Sequence, residues 1–241
     1  MNAELRIFET AEGVIESAGE RMVTLMLNSV EMQGECTIAL SGGSTPKPLY
    51  QQLGSEYREI IPWEKIHLFW GDERFVSPDS AESNYRLVNE TMLQNIPIPE
   101  ENVHPFDTTL ASATESAEDY EQALREYFPD DLPRIDIALM GMGSDGHTAS
   151  LFPGTEALRE RERWVTTSVA PDPPRERLTL TYPALNASGH VLFLVTGEHK
   201  AEALQKVHSG EADRDEYPSA GIRPEHGEVI WFVDRAAAAR V

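Results

Sequence analysis

Short apolar runs alternate along this 241-residue chain with longer amphipathic stretches, and no other feature limits its fold as much. Brief runs rich in β-branched and aromatic residues suit strands, and apolar residues recurring every three or four positions suit helices. LRIF (5–8), CTIAL (36–40), IHLFW (66–70), IDIALM (135–140), HVLFLVT (190–196) and EVIWFVD (228–234) read as strands, with WVTTSVA (164–170) and RLTLTY (177–182) as further strand candidates. Residues 11–32 set Val14, Ile15, Ala18, Met22, Leu25 and Met26 on one helical face. Further helices are expected over 84–93, 112–128 and 198–208, and Pro46 opens another that carries Leu49, Tyr50 and Leu53. Such alternation predicts the α/β class with a largely parallel central sheet. No long linker interrupts it, so a single three-layer domain is expected.

Open α/β sheets bind ligands at the carboxyl ends of their strands. Four conspicuous polar segments fall there: SGGST (41–45), GDER (71–74), GMGSDGH (141–147) and TGEHK (196–200). Gly, Asp and Ser favour turns in general, which accounts for any one of these segments better than for all four together.

The formal charge of −21 excludes nucleic acid as an expected partner, because neutralising phosphates needs a basic surface. It also makes local cations informative. Lys47, Lys65, Lys200 and Lys206 are the only lysines, and a small anionic substrate needs a focused cationic pocket within so acidic a field. No apolar run approaches the ~20 residues of a membrane-spanning helix, and the first residues lack the basic start and apolar core of a signal peptide. Cys36 is the only cysteine, which rules out an internal disulfide and a cysteine-based zinc site, and a reducing cytoplasm is expected.

Each segment has a chemical and a bland reading. In SGGST, Gly42 and Gly43 permit close backbone approach, and the hydroxyls of Ser41, Ser44 and Thr45 with the helix opened by Pro46 can surround a phosphate; the alternative is a simple turn. In GDERF, Arg74 can contact an anion and Asp72 can orient a histidine or a water; the alternative is a solvated charged turn. Gly141, Gly143 and Gly146 spell the dinucleotide fingerprint, but Pro153 and Gly154 break the helix that it needs, and residues 157–164 (ALRERERW) offer no acidic strand end. The nucleophile-elbow pattern fails as well, with Met142 in place of its first glycine. Asp145 and His147 remain, as an oriented general base or as a capping aspartate beside a structural histidine. Arg175, Arg177 and Lys200 are scarce cations; Lys200 falls at a helix start, where the helix dipole already favours anions, although a surface lysine reads the same way.

SGGSTP, GDERFV with SNYRL (83–87), GMGSDGHTASLFPGT, PPRERLTLT and VTGEHKA, in this order, resemble the 6-phosphogluconolactonases over about residues 5–235. The resemblance makes the whole chain, 1–241, one catalytic domain with a Rossmann-like fold shared with the glucosamine-6-phosphate deaminases. It implies hydrolysis of 6-phosphoglucono-δ-lactone to 6-phosphogluconate, the second step of the oxidative pentose phosphate pathway, with no metal and no nucleotide cofactor. By matching position, His147 is implied as the general base, Asp145 and Asp72 as groups positioning it or the water, and Arg74 as a substrate contact. Arg177 and Lys200, with Ser41, Gly42, Gly43, Ser44 and Thr45, are implied as the phosphate site. The deaminase motif resembles D-G-H-x-A-x-x-E-P, and Phe152 stands here in place of its glutamate. A non-catalytic phosphosugar sensor is expected to carry a DNA-binding segment, and none is expected in a sequence this acidic with the domain filling its length.

Acidity of this degree serves either solubility or adaptation to high salt. Activity assayed from dilute buffer to molar salt separates the two: a rise marks adaptation, a flat response marks solubility.

Overall fold

The computed structural model describes residues 3–129 and 132–241. In chain order the regular elements are β1 (Ala3–Phe8), α1 (Ala11–Gln33), β2 (Cys36–Leu40), α2 (Lys47–Ser55), β3 (Ile66–Trp70), β4 (Asp72–Arg74), α3 (Asn84–Thr91) and β5 (Val103–His104). They continue with α4 (Ala113–Tyr127), β6 (Ile137–Gly141), β7 (Val165–Val169), β8 (Glu176–Leu180), α5 (Tyr182–Asn186), β9 (His190–Val195), α6 (Ala201–His208) and β10 (Glu228–Asp234).

Local chemistry sets the ends of the longest helix. The Thr10 hydroxyl accepts the Gly13 N–H at 3.2 Å, and Gly34 closes the helix in the left-handed region at φ 93 with its N–H on the Val30 carbonyl. Val14, Ile15, Ala18, Met22, Leu25 and Met26 are all buried, so the face expected from their spacing is the one that packs.

Seven strands form the central sheet in the order β1-β10-β9-β6-β2-β3-β5, and every pairing is parallel. All five residues of β2 are buried, as expected where a parallel strand is covered on both faces. Phe193 and Trp231, in register on β9 and β10, stack with ring centroids 3.8 Å apart. From β2 the chain winds outward through β3 to β5; from β6 it winds the opposite way through β9 to β10, which lies beside the edge strand β1. The winding direction reverses between β2 and β6, where such sheets open a crevice.

The strand candidates at 164–170 and 177–182 do form strands, but outside the central sheet. β7 and β8 pair antiparallel, and β4 joins β8 antiparallel to complete a separate three-stranded sheet. Residues 170–175 close a short hairpin loop, with the Ala170 N–H on the Arg175 carbonyl at 2.8 Å. So short a connection holds no crossover helix, which parallel pairing requires. GDER therefore supplies a strand rather than a loop. At Gly71 the chain steps between sheets: its N–H bonds the Leu40 carbonyl of β2, and its carbonyl accepts from Leu180 of β8, both at 2.8 Å. The expected helix over 198–208 begins as a tight 3₁₀ turn at Glu198–Lys200 before α6. Among the described residues no helix is long and apolar enough to cross a membrane.

At β3 and β5, His67 Nδ1 lies 3.4 Å from His104 Nε2, and the His104 ring stacks on Phe69 at 4.4 Å. Tyr127 of α4 packs against both imidazoles and donates its hydroxyl to Glu35, whose carboxylate is 3.9 Å from His67 Nε2. Burial pushes both imidazoles down: His67 despite Glu35, and His104, with His67 adding to the effect, to about 4. Between an unfolded value of about 6.5 and that lower value the unfolded chain binds more protons. The contribution to stability is thus complete above the unfolded value and is lost as pH falls through the window. His104→Phe is expected to flatten the loss of stability between pH 7 and 5, measured by denaturant melts of both proteins at each pH; an unchanged slope would refute the assignment.

Candidate active site

The four polar segments meet where the winding reverses. SGGST follows β2, GDER follows β3, GMGSDGH begins at the last residue of β6, and TGEHK follows β9. Between them lies a crevice of about 210 Å³ whose wall includes Ser41, Gly42, Gly43, Ser44, Thr45, Asp72, Arg74, Asn84, Gly143, His147, Thr196 and Lys200. A larger groove of about 580 Å³ runs beside it between α1 and α2, but Glu12, Glu16 and Glu56 line it and no cation does. An anionic substrate belongs in the smaller crevice.

The Asp–His pair is built by its loop. His147 Nδ1 is 2.6 Å from Asp145 Oδ1, and the His147 backbone N–H donates to the same oxygen at 3.1 Å. Burial raises the Asp145 carboxyl, but the hydrogen bonds and charge of His147 outweigh it and hold the group below the usual aspartate value. His147 is 33% exposed, open enough to meet a substrate. Asp145 is not part of the crevice wall and reaches it only through the imidazole. The fingerprint glycines serve this geometry. A Cβ at Gly143 would overlap His147 Nδ1 and Asp145 Oδ1, so only glycine leaves room for the pair. Gly146 sits at φ 80, in the left-handed region open to glycine. Beyond it the chain makes a bridge between Thr148 and Leu151 and a short 3₁₀ turn at Glu156–Arg159, not the helix a dinucleotide needs. Phe152 is buried with its ring 4.6 Å from that of His147.

Asp72 faces the crevice but does not hold the histidine. Its Oδ2 accepts the buried Ser150 hydroxyl at 2.7 Å, and Asn84 Nδ2 donates to its carbonyl at 2.9 Å. Glu73 turns the other way: its carboxylate accepts the N–H groups of Arg74, Asn84 and Tyr85 and the Ser83 hydroxyl, anchoring the start of α3. Burial raises its carboxyl against those hydrogen bonds. Arg74 spends one guanidinium nitrogen on the Glu82 carbonyl at 2.8 Å, while its buried Nε has no partner. Arg177 is its cross-strand neighbour on β8, is also buried, and likewise leaves Nε unpartnered. It does not line the crevice, and its guanidinium carbon is 6.0 Å from the centre of the Phe152 ring. Burial first, then the charge of Arg74, lowers Arg177, against the pull of nearby carboxylates. Lys200 lies on the wall, half-buried at the start of α6, lowered by burial against the charge of Asp145. Desolvated cations of this kind favour an anionic ligand.

The crevice therefore gathers Ser41, Gly42, Gly43, Ser44, Thr45, Asp72, Arg74, His147 and Lys200 of the residues expected from sequence, while Asp145 joins it through His147 and Arg177 pairs with Arg74 across β4 and β8. Asn84 and Thr196 also line it, and Ser150 holds the Asp72 carboxylate; none of the three was named as a site residue from sequence, and although Asn84 lies within the SNYRL segment, its bond to Asp72 spans twelve positions and leaves no local signal. Among the described residues no group of three or more His, Cys, Asp or Glu side chains is arranged to hold a metal ion.

Residues 9–231 match the family described as glucosamine-6-phosphate isomerases/6-phosphogluconolactonase. A 6-phosphogluconolactonase of Nostoc sp. is 42% identical over 244 residues, covering 100% of this chain and 99% of the relative. One from Synechocystis sp. is 44% identical over 227 residues, covering 93% and 92%. The solved structure of 6-phosphogluconolactonase from Trypanosoma cruzi superposes with a TM-score of 0.89 at 30% identity, covering 99% of this chain and 97% of that one. Fold, loop placement and full-length similarity agree: the chain belongs to the glucosamine-6-phosphate isomerase/6-phosphogluconolactonase family.

Proposed function

We propose that this protein hydrolyses 6-phospho-D-glucono-1,5-lactone to 6-phospho-D-gluconate, the second step of the oxidative pentose phosphate pathway. One observation carries the reading: an Asp145-bound imidazole on the wall of a crevice that also presents Arg74 and Lys200. The names of the full-length relatives support it. The matched span supports reading residues 1–241 as one catalytic domain. A single buried cysteine suits a cytoplasmic protein.

The substrate is an activated ester, so a water made nucleophilic suffices and no covalent serine is needed. Asp145 accepts Nδ1–H and leaves Nε2 of His147 to take a proton from water. The hydroxide adds to the lactone carbonyl carbon and the carbonyl oxygen takes up the negative charge, which a cation or backbone N–H groups can stabilise. Collapse breaks the bond to the ring oxygen, and the imidazolium returns its proton there. Asp72, held by Ser150 and Asn84, is placed to orient the water or a sugar hydroxyl. Lys200, Arg177 and the Ser41–Thr45 loop are the proposed phosphate site. Phe152 disfavours the deaminase reading, because an apolar ring cannot shuttle the proton that ring opening of an amino sugar needs.

His147→Ala is expected to lose about 10²–10⁴-fold in turnover, the usual worth of a general base, while still binding 6-phosphogluconate. Hydrolysis is measured against the spontaneous rate, with glucosamine 6-phosphate as the control substrate; near-normal turnover in the variant, or deamination of the control, defeats the reading. Lys200→Ala is expected to raise KM by about tenfold or more through loss of a charged hydrogen bond, with a smaller change in kcat. A KM equal to that of the unaltered protein removes Lys200 from the phosphate site.

A further inference from the structure

The segment between α6 and β10 belongs neither to a sheet nor to the crevice wall, yet it turns back onto the catalytic loop. The Gly154 N–H donates to the Asp215 carbonyl at 3.0 Å. Tyr217 packs so closely on Gly146 that a Cβ there would sit 2.8 Å from its ring. In the 3₁₀ turn Pro218–Gly221, Ser219 is 1% exposed, and both its N–H (2.9 Å) and its hydroxyl (2.8 Å) donate to the Gly146 carbonyl. The turn is fastened in place by α5. The Tyr182 hydroxyl donates to the Pro218 carbonyl at 2.9 Å, and Asn186 Nδ2 donates to the Gly221 carbonyl at 3.0 Å.

The target of these bonds is one end of a rigid unit. The peptide joining Gly146 to His147 is planar, so its C=O and N–H move together. Ser219 holds the C=O. The N–H donates to Asp145 Oδ1, the same oxygen that holds the imidazole. Rotating this plane would pull the His147 N–H off Asp145 and carry the imidazole with it. We propose that Ser219 is a positioning residue: through the Gly146–His147 peptide it sets the Asp145–His147 pair against the substrate. The proposal rests on the hydrolytic reading above, since it assigns Ser219 a part in aiming the same base.

Ser219→Ala removes the hydroxyl and keeps the backbone bond to Gly146, so the turn retains one of its two anchors. A small misplacement of a catalytic group costs on the order of 10²-fold in rate, and with one anchor kept the expected fall in kcat is about tenfold. KM and affinity for 6-phosphogluconate should stay within about twofold, because the phosphate contacts are untouched. The nitrogen NMR shift of His147 Nδ1, read in histidine-labelled protein, should move toward that of Asp145→Asn. A drop in melting temperature with kcat and the Nδ1 shift both unchanged would show that Ser219 merely closes a loop and would overturn the proposal. Should Ser219→Ala fail to fold, Tyr182→Phe, which frees the turn at Pro218, carries the same measurements and the same two outcomes. If the unaltered protein does not accelerate lactone hydrolysis, the hydrolytic reading falls, while the Nδ1 shift still decides whether Ser219 orients the histidine.

Discussion

The parallel pairing of β2 with β6 is the constraint on which the rest of the molecule depends. Ile38 and Ala39 stand in register with Ile137 and Ala138, and the chain winds away from this pair in opposite directions. Loops leaving the two strands therefore diverge instead of packing over each other. The gap between them receives a phosphate-loop candidate from one side and the Asp145–His147 pair from the other. Neighbouring strands β3 and β9 then deliver Asp72, Arg74 and Lys200 to the same place. No loop carries the site alone; the sheet assembles it from four.

Charge is handled with the same economy. An excess of 21 negative charges repels an anionic sugar phosphate at long range. The crevice answers locally, with Lys200 and Arg74 on its wall and Arg177 opposite Arg74 across the strand pair. Placing two arginines opposite one another across β4 and β8 is unfavourable by itself. Burial that leaves both Nε atoms without partners adds to the cost. An anionic ligand beside Arg74 offsets the like-charge repulsion of the pair, which connects an unfavourable feature of the free protein to its proposed substrate. Glu73 shows the converse: a buried carboxylate fully occupied by N–H and hydroxyl donors, tying the strand that carries Asp72 and Arg74 to the helix that carries Asn84.

Glycines in the loop that carries Asp145 and His147 match a cofactor template by spacing while meeting a different need. Gly143 clears space for two interacting side chains, and Gly146 takes a backbone conformation that Tyr217 and Ser219 hold from outside. The acidic stretch 209–224 is the outer support of that loop. Phe152 lies beside the imidazole, its ring centre 4.6 Å from that of His147.

Read alone, the sequence determined the α/β class, the parallel sheet and the strand ends that carry the polar segments, because alternating periodicity and turn residues are local signals. It also singled out His147, Asp145, Asp72, Arg74 and Lys200, since histidine, carboxylates and rare cations after strands declare their chemistry wherever they fall. Tertiary structure decided what those signals cannot encode. GDER pairs with a hairpin about a hundred residues away and so becomes a strand. Asp145, not Asp72, holds the imidazole, while the Asp72 carboxylate accepts the Ser150 hydroxyl. Ser219, 73 positions beyond Gly146, bonds to the same peptide as Asp145. Pairings across such separations are set by packing of the whole chain, and no local pattern of residues records them.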